Sequence, residues 1–212
     1  DTMLQGVVHQ DSEGKIISMN AAAEQILGRS PEEFLGRTSG DEEHRTLRII
    51  RLGTSGSVNP DVPSGAVVLA TYGLGIDGTT QYYAGLEDVS EKEMTAQFIR
   101  EVQWPDHLPR PYIVAGNPEL INVLDGGTFK GITVTAPGFY ASQGREIRLA
   151  SSFPGMLEKI SNFSCNGHRV MNFEMETAAL YGLSKLLGHQ AASSGNPAGM
   201  ASHHFNDKNL GG

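Results

Sequence analysis

The stretch "VVLATYGLG" (residues 67–75) constrains the fold of this 212-residue chain more than any other. It is rich in β-formers and apolar on both alternations, as a strand covered on both faces would be. A first strand, "RIIRL", precedes it from residue 48, and the glycine turn "GTSG" and the proline-punctuated "SVNPDVPSG" lie between them. "GITVTAPGFYASQGREIRL" (131–149) reads as another strand running into a glycine- and proline-containing loop. "MNFEME" (171–176) is strand-like, and Leu180, Leu183 and Leu187 then recur at helical spacing until Gly188 stops the helix. Residues 87–103 are mixed polar and predict a helix around Met94, Phe98 and Val102. Strands alternating with helical patterns indicate an α/β fold.

Bulk properties narrow the function. The chain is 39% hydrophobic and 19% charged, which is globular composition, and its formal net charge is −8. No basic stripe offers a surface to nucleic acid or an anionic membrane, so any anionic ligand must be held by local arginines and backbone amides. With a single cysteine, Cys165, no intrachain disulfide can form, and nothing around it completes a catalytic or metal set. His203 and His204 are adjacent on a polar stretch without a supporting shell, so no metal is expected there. No apolar run reaches spanning length, and the start "DTMLQGVVHQDSEG" lacks a basic n-region, so a cytoplasmic protein is expected.

The first forty residues have their own plan. "GVVHQD" and "KIISMN" predict a hairpin around the turn "SEG". Asn20 is placed to cap a short helix ending at Gly28, and Ser30 and Pro31 to open another ending at Gly36. Over residues 4–39 this pattern resembles the opening of a PAS sensor domain, without the further strands that complete such a domain. The alternative function it implies is a sensory or interaction module.

Three later segments carry chemistry at expected strand ends, where ligands gather in open α/β sheets. In "RLGTSG", Arg51 supplies a guanidinium fork, Thr54 a hydroxyl, and Gly53 and Gly56 close approach of backbone N–H groups. That set suits an oxyanion such as phosphate, although an ordinary strand-turn would read the same. In "FYASQGR", the Gln143 amide both donates and accepts while Arg145 only donates, which complements the carbonyl, N–H, carbonyl edge of uracil. Phe139 offers a ring to stack on, or alternatively a core aromatic beside a solvated loop. In "FEME", Glu174 and Glu176 offer carboxylates to vicinal sugar hydroxyls, with Met175 as an apolar contact between them. The plainer alternative makes Glu176 a helix-start acid and Glu174 a surface acid.

Residues 48–189 resemble a nucleoside phosphorylase of the uridine phosphorylase type, through "RLGTSGSVNPDVPSG", "GFYASQGR" and "MNFEMETAALYGLSKLLGH" in that order. The resemblance implies a three-layer sandwich around a mixed sheet. It assigns phosphate to Arg51, Thr54 and Gly56, the base to Phe139, Gln143 and Arg145, and ribose to Glu174, Met175 and Glu176. Arg145 and Glu176 would carry the catalytic roles. It further implies inorganic phosphate as co-substrate with no cofactor or metal, a nucleoside as the small-molecule partner, and a homo-oligomer. The family's N-terminal phosphate loop has no counterpart upstream of residue 48. The expected organisation is a truncated PAS-like segment (1–40), a junction (41–47), an incomplete phosphorylase-like domain (48–189) and a polar tail (190–212) in place of the family's next strand. That organisation reads as a fusion of two fragments.

Overall fold

A computed structural model describes residues 8–10, 16–19 and 46–200. The chain divides into two compact units, residues 1–45 and 46–212. In the first, β1 (Val8–Gln10) pairs antiparallel with β2 (Ile16–Met19), and the turn expected between them lies outside the described residues. The short helices expected over 20–28 and 30–36, and the pair His203 and His204, lie outside the described residues.

The second unit is built on a seven-stranded mixed sheet. Its strands are β3 (Arg48–Ser57), β4 (Val68–Gly75), β5 (Tyr112–Ala115), β6 (Phe129–Thr135), β7 (Ser164–Cys165), β8 (His168–Glu174) and β9 (Gln190–Met200). They lie in the order β3-β9-β4-β6-β8-β7, with β5 added against β4. β4, β6 and β8 run parallel, whereas β3 runs antiparallel to β8 and pairs with it through Gly56 and Ser57, curling the sheet back on itself. β4 is covered on both faces, as its composition requires, with Val68, Leu69, Ala70 and Leu74 all buried.

Among the described residues the α-helices of the unit are α1 (Leu86–Val89), α2 (Lys92–Val102), α3 (Pro118–Leu124), α4 (Met156–Ser161) and α5 (Thr177–Leu186). α2 buries Met94, Phe98 and Val102 as its spacing predicts, against Trp104, Phe153 and Phe163 in the larger core cluster. Asn117 caps α3 by accepting the Leu120 N–H at 3.0 Å, with Pro118 at the first helical position.

α5 departs from the leucine stripe. Its inward face is Thr177, Ala178, Tyr181, Gly182 and Ser184, and Leu187 is exposed. The helix lies so close to β4 that a Cβ on Gly73 would stand 2.7 Å from the Ala178 Cα. Small residues permit that approach, and the bulkier leucines are turned toward its flanks.

The polar stretch from residue 190, expected to be loop or disorder and to replace a strand, instead forms β9 inside the sheet. It pairs parallel with β3 along nearly its whole length and antiparallel with β4 at Gly195 and Ser194. Ala191, Ala192 and Ser193 are buried there without any apolar run. The Tyr181 hydroxyl accepts the Ser193 N–H and donates to the Ala70 carbonyl, each at 2.8 Å, while Ser193 and Thr177 share a hydroxyl hydrogen bond at 2.8 Å. Ladder bonds and satisfied hydroxyls hold this strand in place of hydrophobic bulk.

Candidate active site

The segment around Arg51 lies within β3 rather than in a turn at its end. Arg51, Gly53 and Ser55 therefore point to one face, two residues apart along the strand. A Cβ on Gly53 would stand 2.8 Å from the Arg51 guanidinium, so glycine leaves the space in which that side chain folds back over its own strand. Arg51 contacts Glu176 through Nη2, which is also 3.3 Å from the Glu174 carboxylate. Its other terminal nitrogen, Nη1, is buried and has no hydrogen-bond partner among the described residues.

The two glutamates of "FEME" differ: Glu176 stands at the helix start, as the plainer alternative has it, whereas Glu174 is not a surface acid. Glu174 ends β8 and is buried. It accepts the Thr135 hydroxyl at 2.6 Å, the Thr177 N–H at 2.9 Å and the Glu176 N–H at 3.0 Å. Glu174 thereby caps α5 from three residues upstream, where the helix presents unsatisfied N–H groups. Burial raises its pKa above the ordinary carboxylate value, while the Thr135 hydroxyl, the Arg51 charge and the backbone donors oppose that shift. Glu176 is exposed, with its carboxylate on Arg51. Met175, between them, is half exposed.

The loop after β6 carries the third group. A 3-10 turn at Ala141–Gln143 ends on Gly144, whose φ of 73° is a left-handed conformation suited to glycine. Gln143 is buried, and its side-chain oxygen accepts from Arg145 Nη1 at 2.5 Å. The same nitrogen donates to the Phe139 carbonyl at 2.8 Å, and the guanidinium carbon sits 4.0 Å from the Phe139 ring centroid. Partial burial lowers the Arg145 pKa from its ordinary value, and an arginine keeps its charge under such a shift.

The nine residues that the resemblance assigned to phosphate, base and ribose line one cleft of about 380 Å³: Arg51, Thr54, Gly56, Phe139, Gln143, Arg145, Glu174, Met175 and Glu176; Gly53 does not line it. The volume falls in the range of small-molecule sites. The cleft opens at the carboxyl ends of the parallel strands β6 and β8, with β3 crossing as its third wall.

Two lining residues escaped the sequence reading, Ser55 and Phe173. Each sits beside a motif residue, and strand alternation from Arg51 would have placed Ser55 on the same face. Behind the wall, Thr133 donates to Asn172 at 2.7 Å, and Asn172 donates to Ser55 at 2.9 Å. Gly195 makes room for this rung, since a Cβ there would stand 2.9 Å from the Asn172 amide nitrogen. Cys165 is buried well away from these contacts, its thiol bonded to Gln97 and its pKa raised chiefly by burial. Among the described residues, no group of three or more His, Cys, Asp or Glu side chains is placed to hold a metal ion, and no helix is long and apolar enough to cross a membrane.

Fold and cleft together define a mixed α/β protein with a strand-end site that sets arginines and carboxylates around one small-molecule volume. The chain belongs to the Phosphorylase superfamily, which it matches over residues 42–194. It is 28% identical over 144 residues to the uridine phosphorylase of Thermococcus kodakarensis, covering 67% of this chain and 44% of that protein. To the uridine phosphorylase of Escherichia coli it is 27% identical over 157 residues, covering 71% of this chain and 50% of that protein. The chain thus spans about half the length of the curated relatives it matches. Among solved structures it resembles a Trypanosoma brucei nucleoside phosphorylase described as showing uridine phosphorylase activity. That likeness has a TM-score of 0.61 at 26% identity and covers 83% of this chain and 66% of that one. The fold is also similar to isoform 2 of uridine phosphorylase from Schistosoma mansoni, with a TM-score of 0.51 at 20% identity over 78% of this chain and 53% of that one.

Proposed function

We propose that the cleft performs reversible phosphorolysis of uridine, giving uracil and ribose 1-phosphate. The observation that carries this reading is the convergence of three distant segments, 51–56, 139–145 and 174–176, on one volume of about 380 Å³. In this reading Arg51, Thr54 and Gly56 hold phosphate, and Arg51 Nη1, which has no hydrogen-bond partner among the described residues, supplies a donor for it. Phe139, Gln143 and Arg145 hold the base. Glu176 grips the ribose hydroxyls, Met175 packs on the sugar, and Glu174 supports that edge.

Cleavage of the carbon–nitrogen bond builds positive charge on the sugar and negative charge on the departing base. Arg145 and Gln143 stabilise the base, and phosphate balances the sugar while it attacks. Positioning and preorganised electrostatics then supply the rate, without a covalent enzyme intermediate. Inorganic phosphate is the co-substrate and no other cofactor enters. The same reading takes the protein as a cytoplasmic homo-oligomer.

Following uracil release from uridine by absorbance, with and without phosphate, tests the proposal. Release that depends on phosphate and is lost in Arg145→Ala and Glu176→Ala supports it; a folded protein that releases no uracil at saturating phosphate refutes it. A second reading makes residues 4–39 a PAS-like sensory or interaction module. Its support is the resemblance of that segment and the antiparallel pairing of β1 with β2.

A further inference from the structure

We propose that Thr135, which does not line the cleft, is a positioning residue for it: its hydroxyl fixes the Glu174 carboxylate and, through it, Arg51 and the backbone that carries Glu176. The inference rests on the phosphorolysis reading for what the cleft binds, and on the hydrogen bonds alone for what Thr135 does.

Thr135 is the last residue of β6, fully buried, and in register with Glu174 on β8. A threonine hydroxyl has one proton. Here it is donated to Glu174 Oε1 at 2.6 Å, while the oxygen accepts the Ala178 N–H of α5 at 2.8 Å. That single oxygen joins the end of one strand, the end of the next and the start of the helix. Valine has nearly the same shape and would suit the strand, so a buried hydroxyl is costly unless both bonds are made.

The consequence reaches the cleft through the Glu174 oxygens. Oε1 is shared between Thr135 and the Thr177 N–H, the latter at 3.1 Å. Oε2 takes the N–H groups of Glu176 and Thr177 and stands 3.3 Å from Arg51. Without the Thr135 donor the carboxylate is free to rotate toward its backbone partners, and both Arg51 and residue 176 lose their reference point. The rung from Thr133 through Asn172 to Ser55 repeats the arrangement two residues upstream. Each threonine thus braces a register partner that reaches on to β3, which is what strand alternation permits. The charged or titratable groups that face or feel Glu174 are Arg51 from β3, Glu176 at the start of α5, and the phenols of Tyr112 on β5 and Tyr181 on α5.

The test uses the full chain carrying ¹³C-labelled glutamate, with NMR titration of the Glu174 carboxyl and calorimetric titration of inorganic phosphate. In Thr135→Val the Glu174 titration moves upward and phosphate affinity falls about tenfold, the size expected for one lost hydrogen bond to a charged group. In Thr135→Ser both stay within about twofold of the parent, because the hydroxyl is retained. A folded Thr135→Val with unchanged titration and affinity overturns the proposal. So does a folded Thr135→Ser whose phosphate affinity falls about tenfold with an upward Glu174 titration, and this second result decides the matter even where Thr135→Val fails to fold. Failure of the parent chain to bind phosphate would sink the phosphorolysis reading instead, and the carboxyl titration would still judge Thr135.

Discussion

At the carboxylate end of the cleft, Glu174 is held by a strand-end hydroxyl, two helix-start N–H groups and an arginine from a third strand. At the other end, Arg145, Gln143 and Phe139 are held largely by one another, within a loop of seven residues. The first arrangement is knitted into the sheet, so disturbing it should cost folding stability and binding together. The second is local, so disturbing it should cost recognition while the fold stands. The difference separates residues that build the site from residues that read the ligand.

The most severe way to sharpen that contrast is Glu174→Ala. It strands the Thr135 hydroxyl and two N–H groups and leaves Arg51 with Glu176 alone, and a loss of about 3–5 kcal/mol is expected in urea unfolding. A loss below about 1 kcal/mol would show that the sheet does not depend on this carboxylate. Arg145→Ala tests the other end: stability should change by less than about 1 kcal/mol, while phosphate-dependent uracil release falls about 10²–10³-fold. Stability and release falling in proportion would erase the distinction.

Gly144→Ala probes the loop's geometry. A methyl there would stand 2.7 Å from the Leu157 Cβ in a left-handed backbone, and about 1–2 kcal/mol of destabilisation is expected by thermal melting. An unchanged melting temperature would mean that the loop yields freely.

The gentlest effect is in pH. Burial raises the folded-state pKa of Glu174 above its ordinary 4.5, so its stabilising contribution is complete below that value and is lost as pH rises through the folded value. Urea midpoints of the parent should therefore fall from about pH 4.5 toward neutrality relative to those of Glu174→Gln, which lacks this ionisation. Parallel profiles would count against a buried, titrating carboxylate.

Much of the cleft could be read from residue types because its chemistry is concentrated in short, unusual clusters: a paired acid, a Gln-Gly-Arg, an arginine beside glycines. The doubly covered strand β4 and the helix α2 were equally legible, since both bury large apolar side chains at regular spacing. β9 was not. Its buried residues are alanine and serine, and hydrogen bonds to Tyr181 and Thr177 stand in for the apolar signal. The leucines of α5 misled for a related reason, because a helix that packs within contact of Gly73 must turn its small residues inward. Gly53 suggested a turn, yet its role is to clear space for Arg51 within a strand. Thr135 carried no signal at all, threonine being ordinary in strands, and only its two hydrogen bonds distinguish it.

Paired calorimetric titrations of phosphate and of uridine into the parent chain, Arg51→Ala and Gln143→Ala test the one-cleft, two-ended account most directly. The account predicts that Arg51→Ala abolishes phosphate binding and spares most of the uridine affinity, that Gln143→Ala does the reverse, and that phosphate tightens uridine in the parent. Phosphate and uridine affinities that ignore both substitutions would contradict it.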